Sequence, residues 1–290
     1  MTKLCPLIGA LLLCCLFPLP SRAAEVVIVA DTRLKPVVEI LSGMHKTLDA
    51  STRTYSPAEV RGRLRQVVER EEAGVVVALG REALAEALQL PSSIPVIFDM
   101  VVTPPTITRP NTTGFYMATP VREYCDLIRK HLHSLRKLAV VGSRDQLRLL
   151  DRDDSPQVTA YNVDNPAAFV ATVNRLEGTD AIILLPDAAL LTNGAMEEAF
   201  LLSFRKHMPL LGISEQHVRE GALLALVVDP VNVGRLIGDY AHKALNGADL
   251  GRIPPAPPRK FLLYLNTNTA RRMGISVPDE LKRLAARVYP

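Results

Sequence analysis

Short, wholly apolar runs rich in β-branched residues recur along this chain, and each ends at a polar residue, a proline or a glycine. Residues 26–30 read VVIVA, 75–79 VVVAL, 95–98 PVIF, 138–141 LAVV, 181–185 AIILL and 223–228 LLALVV. A strand that is apolar at every position has both of its faces covered, the usual situation in a parallel sheet. Helical patterns lie between the runs, at 35–48, 57–72, 81–88, 121–135, 166–177 and 196–207. The alternation predicts an α/β architecture of mostly parallel sheets flanked by helices. In such sheets ligands sit just beyond the carboxyl ends of the strands. Polar residues there are therefore site candidates: Asp31 and Thr32, Gly80 and Arg81, Asp99 and Met100, Ser143, and Asp187.

The stretch 210–245 has the densest set of such signals. An apolar run, 209–213, stops at Ser214, which suits the N-cap of a short helix over 215–220. Gly221 ends that helix and the run 223–228 follows. Asp229 then suits an N-cap and Pro230 the first position of a long helix, where a missing N–H costs nothing. Ser214, Glu215 and Asp229 are candidates for a site, and Ser214 and Asp229 are equally well explained as caps alone.

Two segments break the rhythm. Residues 101–120 carry Pro104, Pro105, Pro110 and Pro120, and read as an irregular passage that returns to a strand at 114–117 and crosses to a second lobe. Residues 247–258 hold Pro254, Pro255, Pro257 and Pro258, and read as a linker. A late strand is expected at 261–265, with helices at 269–273 and 279–288. Residues 144–154 leave room for only a short, charged piece between the first two strands of the second lobe.

The first residues look like an address. Met1 to Lys3 is short and positive, residues 4–18 are almost wholly apolar, and Ser21-Arg22-Ala23 offers a cleavage site, with Ala24 an equal alternative. This is the pattern of a Sec-type signal peptide over residues 1–23 and places the product in the periplasm. Leu13 before Cys14 is not the small residue that lipid attachment requires, so no lipid anchor is expected. Cleavage removes Lys3 and Arg22 and lowers the formal charge from +4 to +2. It also removes Cys5, Cys14 and Cys15, so one thiol, Cys125, remains, no internal disulfide is expected and core burial must supply stability. A charge so close to balance, with no basic run, argues against nucleic acid as a partner.

No catalytic set emerges. Ser214 lacks the second glycine of a nucleophile elbow, and no phosphate loop or dinucleotide fingerprint is present. His131 and His133 are two apart and face different ways on a helix. All six histidines read as solvated or cap-side groups, and no metal site is expected. Asp151, Asp153 and Asp154 read as a solvated turn, because a calcium loop needs more oxygen ligands in a set order. Cys125 reads as a buried apolar group. An exported, two-lobed α/β chain with polar strand ends and no such set is expected to bind a small molecule between its lobes.

An ordered series of short motifs supports that expectation. It comprises Pro186-Asp187, Ser214-Glu215, Gly221-Ala222, Asp229, Gly234-Arg235, Leu265-Asn266, Ala270 and Gly274-Ile275-Ser276-Val277-Pro278, with Pro95-Val96-Ile97-Phe98 and Asn111-Thr112-Thr113-Gly114-Phe115 earlier. Over most of its length the chain resembles the type I periplasmic solute-binding proteins of ABC importers, among them tryptophan/tyrosine-type amino-acid binders. The resemblance implies a two-lobed type I periplasmic-binding-protein-like fold with an abbreviated second lobe. Residues 24–118 with 229–250 would form the first lobe, and 119–228 with 251–290 the second. It also implies a small organic solute such as an amino acid, no cofactor, no enzymatic activity, a membrane permease as partner and a monomeric protein. A sensor kinase or another membrane complex is the alternative partner for the same fold. A ligand carboxylate would meet backbone N–H groups after Gly80 and Ser214, an ammonium would meet Asp99, Asp187 or Asp229, and Phe98, Phe115 and Tyr116 would be aromatic wall candidates. Two departures stand out. Gly80-Arg81-Glu82-Ala83 occupies the place of the Gly-Thr-Pro-Ala common in the family, and the second lobe's first helix is shortened.

Overall fold

The computed structural model describes residues 25–102, 109–150 and 158–290. The expected signal segment, Pro104 and Pro105, and the acidic turn at Asp151, Asp153 and Asp154 lie outside the described residues. The first sheet contains β1 (Val26–Val29), β2 (Thr52–Tyr55), β3 (Val75–Leu79), β4 (Val96–Val101) and β5 (Thr112–Tyr116), in the order β2-β1-β3-β4-β5. All of its pairings are parallel. The unbroken apolar runs now have their reason. Val26, Ile28, Val75, Val77 and Ile97 point to one helical layer, while Val27, Val29, Val76, Ala78, Val96 and Phe98 point to the other. The first layer holds α1 (Lys35–Met44), and the second holds α2 (Pro57–Val60), α3 (Leu64–Arg70) and α4 (Arg81–Ala87).

The second sheet is built from β6 (Leu138–Gly142), β7 (Val158–Asn162), β8 (Ala181–Leu184), β9 (Leu210–Gly212), β10 (Leu224–Val228), β11 (Phe261–Asn266) and β12 (Arg287–Tyr289). Its order is β12-β11-β10-β9-β8-β6-β7, and only the β10–β11 pair is antiparallel. Around it lie α5 (Val121–His131), α6 (Arg144–Arg148), α7 (Pro166–Arg175), α8 (Asn193–Lys206), α9 (Glu215–Glu220), α11 (Thr267–Arg272) and α12 (Asp279–Leu284). The shortening seen in sequence is real at α6, a helix of 5 residues, while the sheet itself has seven strands.

The long helix α10 (Pro230–Leu245) follows a strand of the second sheet but packs its buried face, Val233, Ile237 and Ala241, into the first sheet's core beside α1. The two helices touch backbone to backbone. A Cβ on Gly234 would lie 2.0 Å from the Ile40 carbonyl oxygen, and one on Gly43 2.1 Å from that of Val231.

Several expectations are corrected and one strand is added. The helix expected at 57–72 is two short helices, because Gly62 turns the chain at φ +68 between them. The helix expected to run to 48 stops at Met44. Strand β2, with the polar sequence TRTY, gives no apolar signal because it is a half-exposed edge with one neighbour. The last helix ends at Leu284, and residues 287–289 instead add a parallel edge strand to β11. Cys125 is buried, as expected. His131 is not solvated: it is buried where α5 ends against α12, with Nδ1 3.8 Å from Glu280.

Tyr124, fully buried on α5, fastens the middle of the second sheet. Its hydroxyl donates to the Gly212 carbonyl and accepts the Leu226 N–H at 2.7 Å, bridging β9 and β10. Burial raises its phenol well above the ordinary value. Tyr124→Phe should cost about 2 kcal/mol in urea unfolding, because two buried backbone groups lose a partner. An unchanged midpoint would show that the bridge contributes nothing.

Candidate functional site

Carboxyl-end loops of both sheets converge on a cavity of about 460 Å³. From the first sheet's side come Lys35, Glu39 and Ile40 of α1, and Asp99 and Met100 at the end of β4. The crossing between the sheets adds Met117, Ala118, Thr119 and Pro120. The second sheet supplies Pro186, the 213–216 turn after β9, and Leu226 to Val228 of β10. Asp229, Pro230, Val231 and Val233 open α10, and Phe261, Leu262 and Tyr264 come from β11. Most of this wall is apolar.

Local chemistry explains each polar position. Ser214 caps α9 by accepting the His217 N–H at 3.2 Å, and Asp229 caps α10 by accepting the Asn232 N–H at 3.0 Å. Both residues therefore do what each reading of the sequence asked, capping a helix and facing the cavity. His217 sits behind this turn, half-buried, its Nδ1 accepting the Ile213 N–H at 3.3 Å, and burial lowers its pKa. Glu215 is tied to the chain's last strand. The Tyr289 hydroxyl donates to it, and Arg287 Nη1 pairs with it at 2.9 Å. Those contacts, with Lys35 across the cavity, hold its carboxyl below the usual range. Burial and the carboxylates of Glu215 and Glu39 raise the Tyr264 phenol. Lys35 pairs with Glu39 at 3.6 Å within α1.

Asp99 is different. It is 5% exposed, and no cation among the described residues pairs with it. Burial pushes its carboxyl from 3.8 up to about 7, against a smaller pull from the Met100 backbone N–H. The strand is irregular here: the β4–β5 register shifts between Phe98 and Val101, and Met100 takes φ +60. A non-glycine residue in the left-handed region is a local cost that neighbouring structure must hold in place, and such residues cluster at functional sites.

The cavity thus gathers Asp99, Met100, Ser214, Glu215 and Asp229 of the residues singled out from sequence. The others lie outside its wall. Asp31 is bound to Arg33 at 2.7 Å, which holds its carboxyl down at about 2. Thr32 and Arg81 are exposed. Gly80 turns at φ +103 and gives its N–H to the Asp99 carbonyl at 2.9 Å. Ser143 precedes α6 without a side-chain cap bond, and Asp187 accepts the Ala189 N–H in its own turn at 3.1 Å. The aromatic expectation shifts as well. Phe98 is core, Phe115 stacks on Tyr240 with centroids 5.6 Å apart, and Tyr116 packs against the first sheet's core. The wall aromatics are Phe261 and Tyr264. Sequence reasoning missed them because β11 runs antiparallel to β10: Val228 pairs with Phe261, so the amino end of β11 reaches the place where the other strands end. Lys35 and Glu39 were missed because they lie inside a helix pattern. Among the described residues no group of three or more His, Cys, Asp or Glu side chains could hold a metal ion, and no helix is long and apolar enough to cross a membrane.

Comparison with protein-family models matches residues 40–289 to the ABC transporter substrate binding protein family. Comparison with curated proteins finds no match. Among solved structures, a conserved domain protein from Vibrio cholerae O1 biovar eltor str. N16961 is 19% identical with TM-score 0.61, covering 92% of this chain and 99% of its own. The ABC domain in complex with L-Trp from Streptococcus pneumonia is 16% identical with TM-score 0.61, covering 91% and 99%. A substrate binding protein with adhesive properties from Clostridium difficile, in its ligand-free, open structure, is 14% identical with TM-score 0.72, covering 92% and 99%. At these identities the likeness is one of fold, the two-lobed type I periplasmic-binding-protein-like α/β fold.

Proposed function

The chain belongs to the ABC transporter substrate binding protein family, and we propose that it is the periplasmic solute-binding component of an ABC importer. Residues 1–23 act as its signal peptide, and the mature protein is a monomer without enzymatic activity that delivers its ligand to a membrane permease. The two lobes are residues 24–118 with 229–250 and 119–228 with 251–290. The observation that carries this reading is the cavity of about 460 Å³ between the two sheets, within the roughly 300–1,000 Å³ of small-molecule sites. Its apolar wall with a few charged groups suits a small organic solute with an apolar body, an amino acid or a related amine. The L-Trp held by the Streptococcus protein supports a ligand of that size.

A thermal-shift screen of residues 24–290 against amino acids, amines, small carboxylates, purines and sugars tests this. Ligand at about a hundred times its dissociation constant adds roughly 2.7 kcal/mol, which moves the melting temperature of a chain this size by several degrees. Ala118→Trp should abolish that shift while leaving the ligand-free melting temperature near wild type, because Ala118 is a half-buried residue of the crossing that faces the cavity. A shift that survives this substitution would place the ligand elsewhere. No shift with any class would favour a docking role at a membrane complex.

A further inference from the structure

We propose that the charge this cavity reads on its ligand is a protonated amine, which pairs with the side chain of Asp99, and that no ligand carboxylate is required. The inference rests on the cleft-binder reading above and deepens it. Four of the five charged residues in the wall are acids, Glu39, Asp99, Glu215 and Asp229, and the one base is Lys35. Three of the acids are occupied. Glu39 has Lys35, Glu215 has Arg287 and Tyr289, and Asp229 holds the α10 N-terminus. Among the described residues of the wall, Asp99 alone is a buried acid that faces the cavity with no cation beside it. A buried carboxyl without a cation keeps its proton. A ligand ammonium supplies the missing partner, so Asp99 ionises as the amine enters and its proton leaves to solvent.

Among the described residues the wall offers a carboxylate no buried cationic side chain. Gly80 and Arg81 lie outside the wall, and Lys35 is exposed and already beside Glu39. The aromatic and aliphatic wall, with Phe261, Tyr264, Met100 and Met117, receives the apolar body of the ligand.

The test uses matched probes on the whole mature chain by titration calorimetry. One set is 2-phenylethylamine, phenylalanine, 3-phenylpropanoate and 2-phenylethanol, and a second is hexylamine, hexanoate and hexanol. The expected result is binding of an amine at least tenfold tighter than that of its carboxylate and alcohol counterparts, with phenylalanine no tighter than 2-phenylethylamine. Affinity should rise by roughly tenfold per pH unit from pH 5 toward 7 and then level, with proton release seen as a buffer-dependent heat. Lys35, Glu39, Glu215 and Asp229 also face this space, so Asp99→Asn, which leaves them all in place, isolates the effect. That variant should bind the amine at least tenfold more weakly at pH 8 and lose the pH slope. If a carboxylate or alcohol binds as tightly as the amine, or if amine affinity survives Asp99→Asn, the proposal is wrong and the cleft-binder reading stands. If no probe of either set binds, the amine proposal is wrong, and the cleft-binder reading is decided separately by the wider thermal-shift screen.

Discussion

At pH 8 the Asp99→Asn variant should melt roughly 10 °C above wild type, at about 2–4 °C per kcal/mol for a protein of this size. The Asp99 carboxyl titrates at about 7 in the folded chain against an ordinary 3.8, so the folded state holds the proton more tightly than the unfolded one. The stability tied to that proton is fully present below about pH 4 and is lost as pH rises through 7. A shift of this size corresponds to roughly 4 kcal/mol, and the residue is too buried for solvent to screen much of it. Asparagine keeps the shape and never ionises. Carboxylates held low, such as Asp31 and Glu215, have the opposite dependence and lose stability as pH falls. The informative quantity is therefore the difference between the two proteins measured from pH 4 to 8 without ligand. It should grow from near zero to its full value across that window. A difference that stays constant with pH would mean that Asp99 is not a buried acid in the folded protein.

The second large effect is expected at the contact between α1 and α10. Gly234→Ala should lower stability by roughly 3 kcal/mol, even though alanine is the better helix former by about 1 kcal/mol. The added methyl would stand 2.0 Å from the Ile40 carbonyl oxygen and 2.9 Å from the Met44 nitrogen. Those are backbone atoms that no rotamer change can move, so the helices must separate. Separation also disturbs the cavity, because α1 brings Lys35 and Glu39 to it and α10 brings Asp229 and Val231. Gly194→Ala is the control. It lies near the start of α8 with nothing within 4 Å of its Cβ position, and it should be neutral or slightly stabilising. Urea denaturation of both variants decides the matter, and a Gly234→Ala protein as stable as wild type would show that the close approach carries no cost.

Much of the fold was legible because its signals are local. The runs at 26–30 and 75–79 declare strands covered on both faces, and Ser214 and Asp229 each cap the helix that follows them. An ordered series of short motifs was enough to indicate the family that the match over residues 40–289 shows. Strand-end reasoning also reached part of the cavity wall, because Asp99 and Met100 lie at the end of β4, and Ser214, Glu215 and Asp229 come just after β9 and β10. Asp31, Thr32, Gly80, Arg81, Ser143 and Asp187 lie outside that wall, since a position just after a strand does not say whether the chain then turns toward the other sheet.

What the sequence by itself determined is therefore the succession of buried strands with the helices between them and the helix caps, all set by apolar periodicity and by hydrogen bonds a few residues apart. Tertiary structure alone decided the rest. Antiparallel pairing with β10 carried Phe261 to the cavity, and pairing with β11 turned residues 287–289 into a strand whose Arg287 and Tyr289 hold Glu215. Burial without a cation, a property of the assembled cleft and not of any tripeptide, raised Asp99 to about 7. The physical reason is common to these cases: pairing register, desolvation and backbone contact depend on segments far apart in the chain, and a reading of local pattern has no access to which distant segment arrives.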